Sequence, residues 1–594
     1  MLKQAGGMES ALQRTFWIAA ADFNRWRGAL KQTGGGERPV AADQSANEEQ
    51  QRTGRSLLAG SATVSVFNLL GVLVGFALDA AIAALYGVGL MTDAYFSAYR
   101  LPNAITSVLT MVAGAALVPM FARMLSEIGS DGKRRNHAVS PMSGFFSNVL
   151  NASTLIVAGV TVVGVVGSTW ITETLYGGLA VESRALAVSL GRILFLTVLL
   201  TGPVEVLRSF LYAHKVFGIP TAINFVRSAV TLVVLIVGRA LIPGATTSDW
   251  IGMTLLSWGM VLGVVAQLVV VGWQAVRHTG LRWHPVLDLR DRRLRQTGRV
   301  SVPITAGAIV RQGINVAETA VAAFLPPGSV TIVSYANRLT FVISSVFLTS
   351  VTTASTPAMS QAMSEGQKSQ VRSLLISALR LTTFVALPIG IGMAFLGVPV
   401  IRLLFERGRF TPEASQLTGL VLSFYALSIL FLGYARVVQA YYYAALRTGV
   451  VLVLFVVLAI VSIGLDVLLA PRIGVQGIAI GFSAGAIVST ALGLWWLWRD
   501  RGQWSDLASE ANQRQLRQQL RELALLTGKV LLASIAMAVA AVATMTFLPD
   551  RAWALLPAVV VGGAVFLLVA LLLRVRELWL VRDVVTGRMR RRPW

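Results

Sequence analysis

Apolar residues run in windows of about twenty along this chain, separated by short polar or basic segments. That length matches the hydrocarbon core of a bilayer, which a helix crosses at roughly 1.5 Å per residue. The windows are 58–86, 94–121, 145–170, 186–213, 219–242, 251–275, 300–325, 329–358, 373–399, 414–444, 449–470, 474–498, 523–547 and 554–577. The pattern predicts an all-α polytopic membrane protein with about fourteen spans, because only helices satisfy their own backbone groups within one segment in lipid. Gly71, Gly75, Pro102, Pro203 and Pro388 fall inside windows, which a bundle tolerates where neighbours satisfy the freed backbone.

Composition sharpens this picture. The 594 residues are 55% hydrophobic and only 13% charged, whereas soluble domains carry roughly a quarter charged residues. The absence of Cys excludes disulfides, thiolate catalysis and cysteine-ligated metals. His137, His214, His278 and His284 lie in or beside loops without the spacing of a metal site. Neither H-E-x-x-H nor G-x-x-x-x-G-K-[ST] occurs, so neither that class of zinc peptidase nor a self-contained P-loop ATPase is indicated. We expect no enzyme, no cofactor and no metal. The net charge of +23 does not form a basic module with exposed aromatics, so we expect no nucleic-acid partner.

The basic residues instead set orientation. They gather after the second window (Lys133, Arg134, Arg135), after the sixth (Arg277, Arg282, Arg290, Arg292, Arg293, Arg295, Arg299) and after the twelfth (Arg499, Arg501, Arg514, Arg517, Arg521), as well as in the tail (Arg588, Arg590 to Arg592). With an even number of spans these all fall on one side, which the positive-inside rule makes cytoplasmic, together with both termini. Arg402, Arg407 and Arg409 depart from the rule. The first 55 residues lack a sustained apolar stretch, so no cleavable signal peptide is expected. Their aromatic patch, Phe16, Trp17, Phe23 and Trp26, fits a surface helix on an anionic membrane or a solvated tail.

Charges inside spans are costly unless they face water or a partner, and so they mark the functional candidates: Asp79, Asp93, Arg100, Arg192, Glu205, Arg208, Arg227, Arg311, Glu318, Arg338, Arg380 and Arg436. Arg100 lies seven positions after Asp93 and Glu318 seven after Arg311, two turns along one face. Glu205 and Arg208 are three apart, a pairing distance. Arg100 and Arg380 also suit interfaces, where they would snorkel. Structural ion pairs account for such charges, but the excess of arginine favours a positively weighted cavity that receives an anionic headgroup, with the acids tuning it or answering a coupling ion.

The run TDAYFSAYRLPN, Thr92 to Asn103, resembles the lipid II flippase family MurJ (MviN) of the multidrug/oligosaccharidyl-lipid/polysaccharide exporter superfamily. Weaker likenesses follow in AGAALVPMF (113–121), GSVTIVSYANRL (328–339) and LFERGRF (404–410). The resemblance implies two six-helix lobes around a cavity open to alternate sides, plus two helices that form a lipid-facing groove. It divides the chain into a polar cytoplasmic extension (1–55), an N-terminal lobe (56–275), a basic cytoplasmic connector (276–299), a C-terminal lobe (300–498), a cytoplasmic linker (499–522), two further spans (523–578) and a basic tail (579–594). It implies that the chain moves undecaprenyl-diphosphate-linked peptidoglycan precursor outward across the bacterial cytoplasmic membrane, with polyprenyl-linked glycan, membrane lipids and cell-wall synthesis proteins as partners. The residues carried over are Asp93 and Arg338, with Arg100 and Asn103 in the same motif as Asp93.

The sequence departs from the family at three cations. Two arginines expected on the first span are matched by Val72 and Leu78, with Asp79 retained, and a third after the PN pair is matched by Thr106. Either Arg208, Arg227 or Arg311 restores the charge, or the cargo is another lipid-linked oligosaccharide. A non-transporting scaffold for envelope synthesis is the remaining alternative.

Overall fold

A computed structural model of the chain describes residues 66–130, 141–242, 248–279, 283–504, 509–548 and 552–578. The N-terminal aromatic patch, Lys133 to Arg135, His137 and the tail arginines lie outside them. Every long element is a helix: α1 Val66–Tyr86; α2 Leu90–Val112, continued through a π turn, Ala113–Leu117, into Val118–Ser130; α3 Pro141–Leu175; α4 Val181–Ala213; α5 Gly218–Leu241; α6 Asp249–Thr279; α7 Arg292–Ala322; α8 Ser329–Ser364; α9 Lys368–Phe405; α10 Pro412–Ala426 and Ser428–Ala444; α11 Thr448–Ile473; α12 Val475–Arg499; α13 Glu510–Phe547; and α14 Leu555–Leu572.

Twelve of these helices are long and apolar enough to cross a membrane, so the chain is a multi-pass membrane protein. The two long helices that fall short are α7 and α8, and they carry Arg311, Glu318, Asn337 and Arg338. Polar side chains on α7 and α8 are affordable only where those faces are buried in protein or wetted from within.

Local chemistry sets the helix starts. Asp291 accepts from the Arg293 amide and opens α7, while Thr411 accepts from the Ala414 amide ahead of α10, with Pro412 in its first turn. These are ordinary N-caps. Arg501–Trp504 is one turn, and Glu510–Phe547 runs unbroken into the thirteenth span. Its Gln, Leu, Arg, Glu and Ala residues are good helix formers and no Pro interrupts them.

Within the first half α2, α3 and α6 pack on α4 and α5 packs on α6; in the second α8 and α9 meet α10, and α11 meets α12. Helix α2 bridges the halves by packing on α7 and α8, and α13 joins α14 and α9. Arg380 lies on α9. It pairs with Glu522 (3.1 Å) on α13 and the buried Glu577 (2.6 Å) after α14, fastening the last two helices to the bundle.

Small residues let helices approach closely where lipid offers no hydrophobic drive. At the α9–α10 crossing, a methyl group on Gly419 would overlap the Val398 backbone. Gly419→Ala is therefore expected to cost about 1–3 kcal/mol and to lower the melting temperature in detergent. Gly464→Ala, where nothing lies within 4 Å, should leave it unchanged or raised. Equal melting of the two variants would contradict the packing described.

Candidate functional site

Asp79 on α1 is buried and forms an ion pair with Arg338 on α8. The two partners are unequally enclosed: 5% of the Asp79 side chain is exposed, against 42% of Arg338. The acid holds the guanidinium from behind and leaves its outer side open. In front lies a cavity also lined by Leu78, Tyr95, Tyr99 and Ser228, and by Arg227 of α5. It runs on into a second, hydroxyl-rich pocket that shares Tyr99 and Arg227 and adds Asn103, Thr106, Thr197 and Thr201. Tyr99 donates to Asn103 Oδ1 at 2.7 Å, one turn apart on α2. Together the two pockets present Arg338 with its Asp79 partner in the first, Arg227 in both, and uncharged donors and acceptors in the second.

Two of the three positions at which the sequence departs from the family, Leu78 and Thr106, are on this wall. Val72 does not line either pocket.

Asp93 has a different place from the one its sequence neighbourhood suggests. It does not pair with Arg100. Its Oδ2 accepts from the Gly328 amide at 2.6 Å, and its Oδ1 from the Thr331 amide (2.8 Å) and hydroxyl (2.6 Å). A buried carboxylate on α2 thereby caps the start of α8, where the helix dipole and unpaired amides favour negative charge. Gly328 itself has φ of 94°, a left-handed turn in which a Cβ would run into the Val88 side chain. Nearby at the same end, Arg409 pairs with Asp249 at 2.7 Å and donates its amide to the Ala84 carbonyl at 2.9 Å. These contacts close that end of the bundle across its two halves. The exceptional basic loop of the sequence is one of the clasps.

The other candidates divide. Arg100 reaches across to α7 and α8, donating to Thr319 Oγ1 (2.6 Å) and Ser334 Oγ (3.1 Å). Arg208 and Glu205 do pair along α4 at 3.2 Å, and Thr110 donates to the same carboxylate; this pair lines neither pocket. Arg311 is exposed, makes no ion pair with Glu318, and interacts electrostatically with Tyr443 and Arg436 of α10. Glu318 is instead fully buried and accepts from Asn337 at 3.1 Å.

The sequence reading missed Asp466. It is fully buried on α11, with Ser462 one turn before it, and it interacts electrostatically with Glu318. Gly481 on α12 leaves the space its carboxylate fills. The signal was present, an acid in an apolar span, but its position near the end of the 449–470 window made it resemble an interfacial residue.

The family model described as "Lipid II flippase MurJ" matches residues 82–556. The chain belongs to the MurJ family. A lipid II flippase MurJ from Burkholderia cenocepacia is 25% identical over 438 residues, covering 72% of this chain and 81% of the relative. A probable lipid II flippase MurJ from Rhizobium meliloti is 26% identical over 464 residues, covering 76% and 82%. Among solved structures, a lipid II flippase MurJ in an inward closed conformation matches with a TM-score of 0.68 at 20% identity, over 86% of this chain and 98% of that one. A MATE family transporter of the MOP superfamily, inward-facing, matches at 0.62 and 13% identity, over 74% and 100%. These structures share the fold. MurJ proteins are transporters rather than enzymes, and among the described residues no group of three or more His, Asp or Glu is placed to hold a metal.

Proposed function

We propose that this MurJ-family chain moves an undecaprenyl-diphosphate-linked glycan, lipid II, from the cytoplasmic to the outer leaflet of the bacterial inner membrane by alternating access. The observation that carries the reading is the convergence of Arg338 and Arg227 on one cavity, with Arg338 braced by Asp79 and open in front. Guanidinium groups bind diphosphate oxygens through charge-assisted, bidentate hydrogen bonds. The hydroxyls and amide of Thr106, Thr197, Thr201 and Asn103 suit sugar hydroxyls. In this reading α1–α6 and α7–α12 are two six-helix lobes that rock against each other, α7 and α8 also span the membrane, α13 and α14 carry the lipid tail, and both termini are cytoplasmic. Asp93 then acts by latching the outer end, and Arg100, Arg208 and Arg311 serve inter-helix contacts or the approach of the cargo. The deciding experiment is leaflet exchange of lipid II in vesicles containing the purified chain; no exchange above protein-free vesicles would sink the proposal.

Leu78 and Thr106 on the cavity wall favour a second reading, a different glycan on the same polyprenyl diphosphate. Exchange assays with several headgroups on one carrier separate the two by rate.

Glu318 and Asp466 are our candidates for coupling. Two buried carboxylates do not both stay ionised at close range without a proton or cation between them. Asp466→Asn removes one ionisable group with little change of shape. Transport by that variant should continue at a basal rate and lose its response to an imposed pH or cation gradient. A gradient response equal to that of the parent chain would remove the assignment.

A further inference from the structure

The connector between α6 and α7 takes no part in the cavity, yet it is built with care. Asn148 of α3 exchanges hydrogen bonds with the Asp288 backbone, donating to its carbonyl (2.9 Å) and accepting from its amide (2.8 Å). Asn151, one turn on, donates to the carbonyls of Val286 (2.8 Å) and His284 (3.1 Å). The Ser147 hydroxyl accepts from the His284 amide. Three side chains of one helix end thus hold an irregular strip by its backbone, leaving its side chains free to point elsewhere. They point outward: Trp283, Val286, Leu287 and Leu289 are 44–60% exposed. The indole N–H of Trp283 is bonded to Asn151 Oδ1 at 3.0 Å, so the ring is fixed with its apolar body uncovered.

Directly after this apolar strip come Arg290, Arg292, Arg293, Arg295 and Arg299, all exposed. Arg292, Arg295 and Arg299 repeat at three- and four-residue spacing and share a face of α7. The acids among them, Asp288 and Asp291, cap the backbone amides of Arg290 and Arg293. The strip also begins just beyond a membrane-crossing helix, α6, whose last turns carry Trp273 with Arg277 over its ring at 5.0 Å. An apolar edge with a basic rim at the end of a span has the chemistry of the headgroup zone.

We propose that Trp283–Arg299 is a docking surface for anionic lipid, with the four apolar side chains in the headgroup–acyl boundary and the arginines on lipid phosphates. The charge excess commits it to anionic rather than zwitterionic headgroups. Lipid occupancy would tether the segment that joins the two halves of the bundle, whatever glycan they carry.

The test uses the full chain in phosphatidylcholine vesicles containing brominated phosphatidylglycerol or, at the same fraction, brominated phosphatidylcholine. The Trp283 signal is the fluorescence difference between the parent chain and Trp283→Phe. Brominated phosphatidylglycerol is expected to quench it about threefold or more strongly, and 1 M salt should erase the preference as the Debye length falls to about 3 Å. Changing the five arginines to Gln should abolish the preference, and changing them to Lys should keep it. Equal quenching by the two lipids, quenching by neither, or a preference that survives both high salt and the Gln variant would overturn the proposal. The salt titration on the unaltered chain decides the matter even where the Gln variant does not fold.

Discussion

Arg338→Ala is expected to lose diphosphate-linked cargo binding by at least about a hundredfold and to melt at a lower temperature, and a second substitution should separate these two losses. Removing the guanidinium deletes charge-assisted hydrogen bonds of about 1.5–3 kcal/mol each, so losing one or two of them accounts for the affinity change. It also strands Asp79, whose side chain is 5% exposed, as a buried carboxylate without its cation. Breaking such a pair costs about 3–5 kcal/mol when both partners are buried; the 42% exposure of Arg338 puts this case at the low end. In the Asp79→Asn/Arg338→Ala chain no buried charge is left, so the melting temperature should recover while cargo binding stays lost. Titration of lipid II in detergent beside thermal melts of the three variants supplies both readouts. Recovery of binding along with stability would mean that Arg338 acts only as a structural partner of Asp79.

Asp93→Asn and Asp93→Ala should release the closed end of the bundle. Three donors converge on this carboxylate from the first turn of α8. Alanine leaves the amides of Gly328 and Thr331 buried and unsatisfied, at about 1–3 kcal/mol for each, and removes a charge favourable to the helix dipole. Asparagine keeps one acceptor and should fall between alanine and the parent chain. The chain has no cysteine, so a single introduced thiol reports without background. Val88→Cys, beside Gly328, should react with a membrane-impermeant maleimide several-fold faster when Asp93→Asn is also present. Unchanged labelling and unchanged melting in that background would show that the latch is dispensable.

The membrane character of the chain was legible because it depends on composition along one dimension. A twenty-residue apolar window in lipid satisfies its backbone as a helix, and among the described residues twelve helices are long and apolar enough to cross a membrane. The same rule that charges inside spans need water or partners selected Asp79, Arg227 and Arg338, which line one cavity. It was blind to partners. Asp93 and Arg100 share a motif and a face, yet one caps α8 and the other bonds to Thr319 and Ser334. Spacing along a helix describes only neighbours on that helix, whereas these partners lie more than two hundred residues away.

The bilayer as solvent, the helical class, the family motif and the short list of charged candidates were thus legible in one dimension, since each follows from residue type and local period. The assembled bundle settled which arginines line a cavity, which acid serves as a cap, and that buried Asp466 interacts electrostatically with Glu318. The reason is physical: the cost of a buried charge is settled by whatever other helices bring to it, and the assembled bundle alone specifies that company.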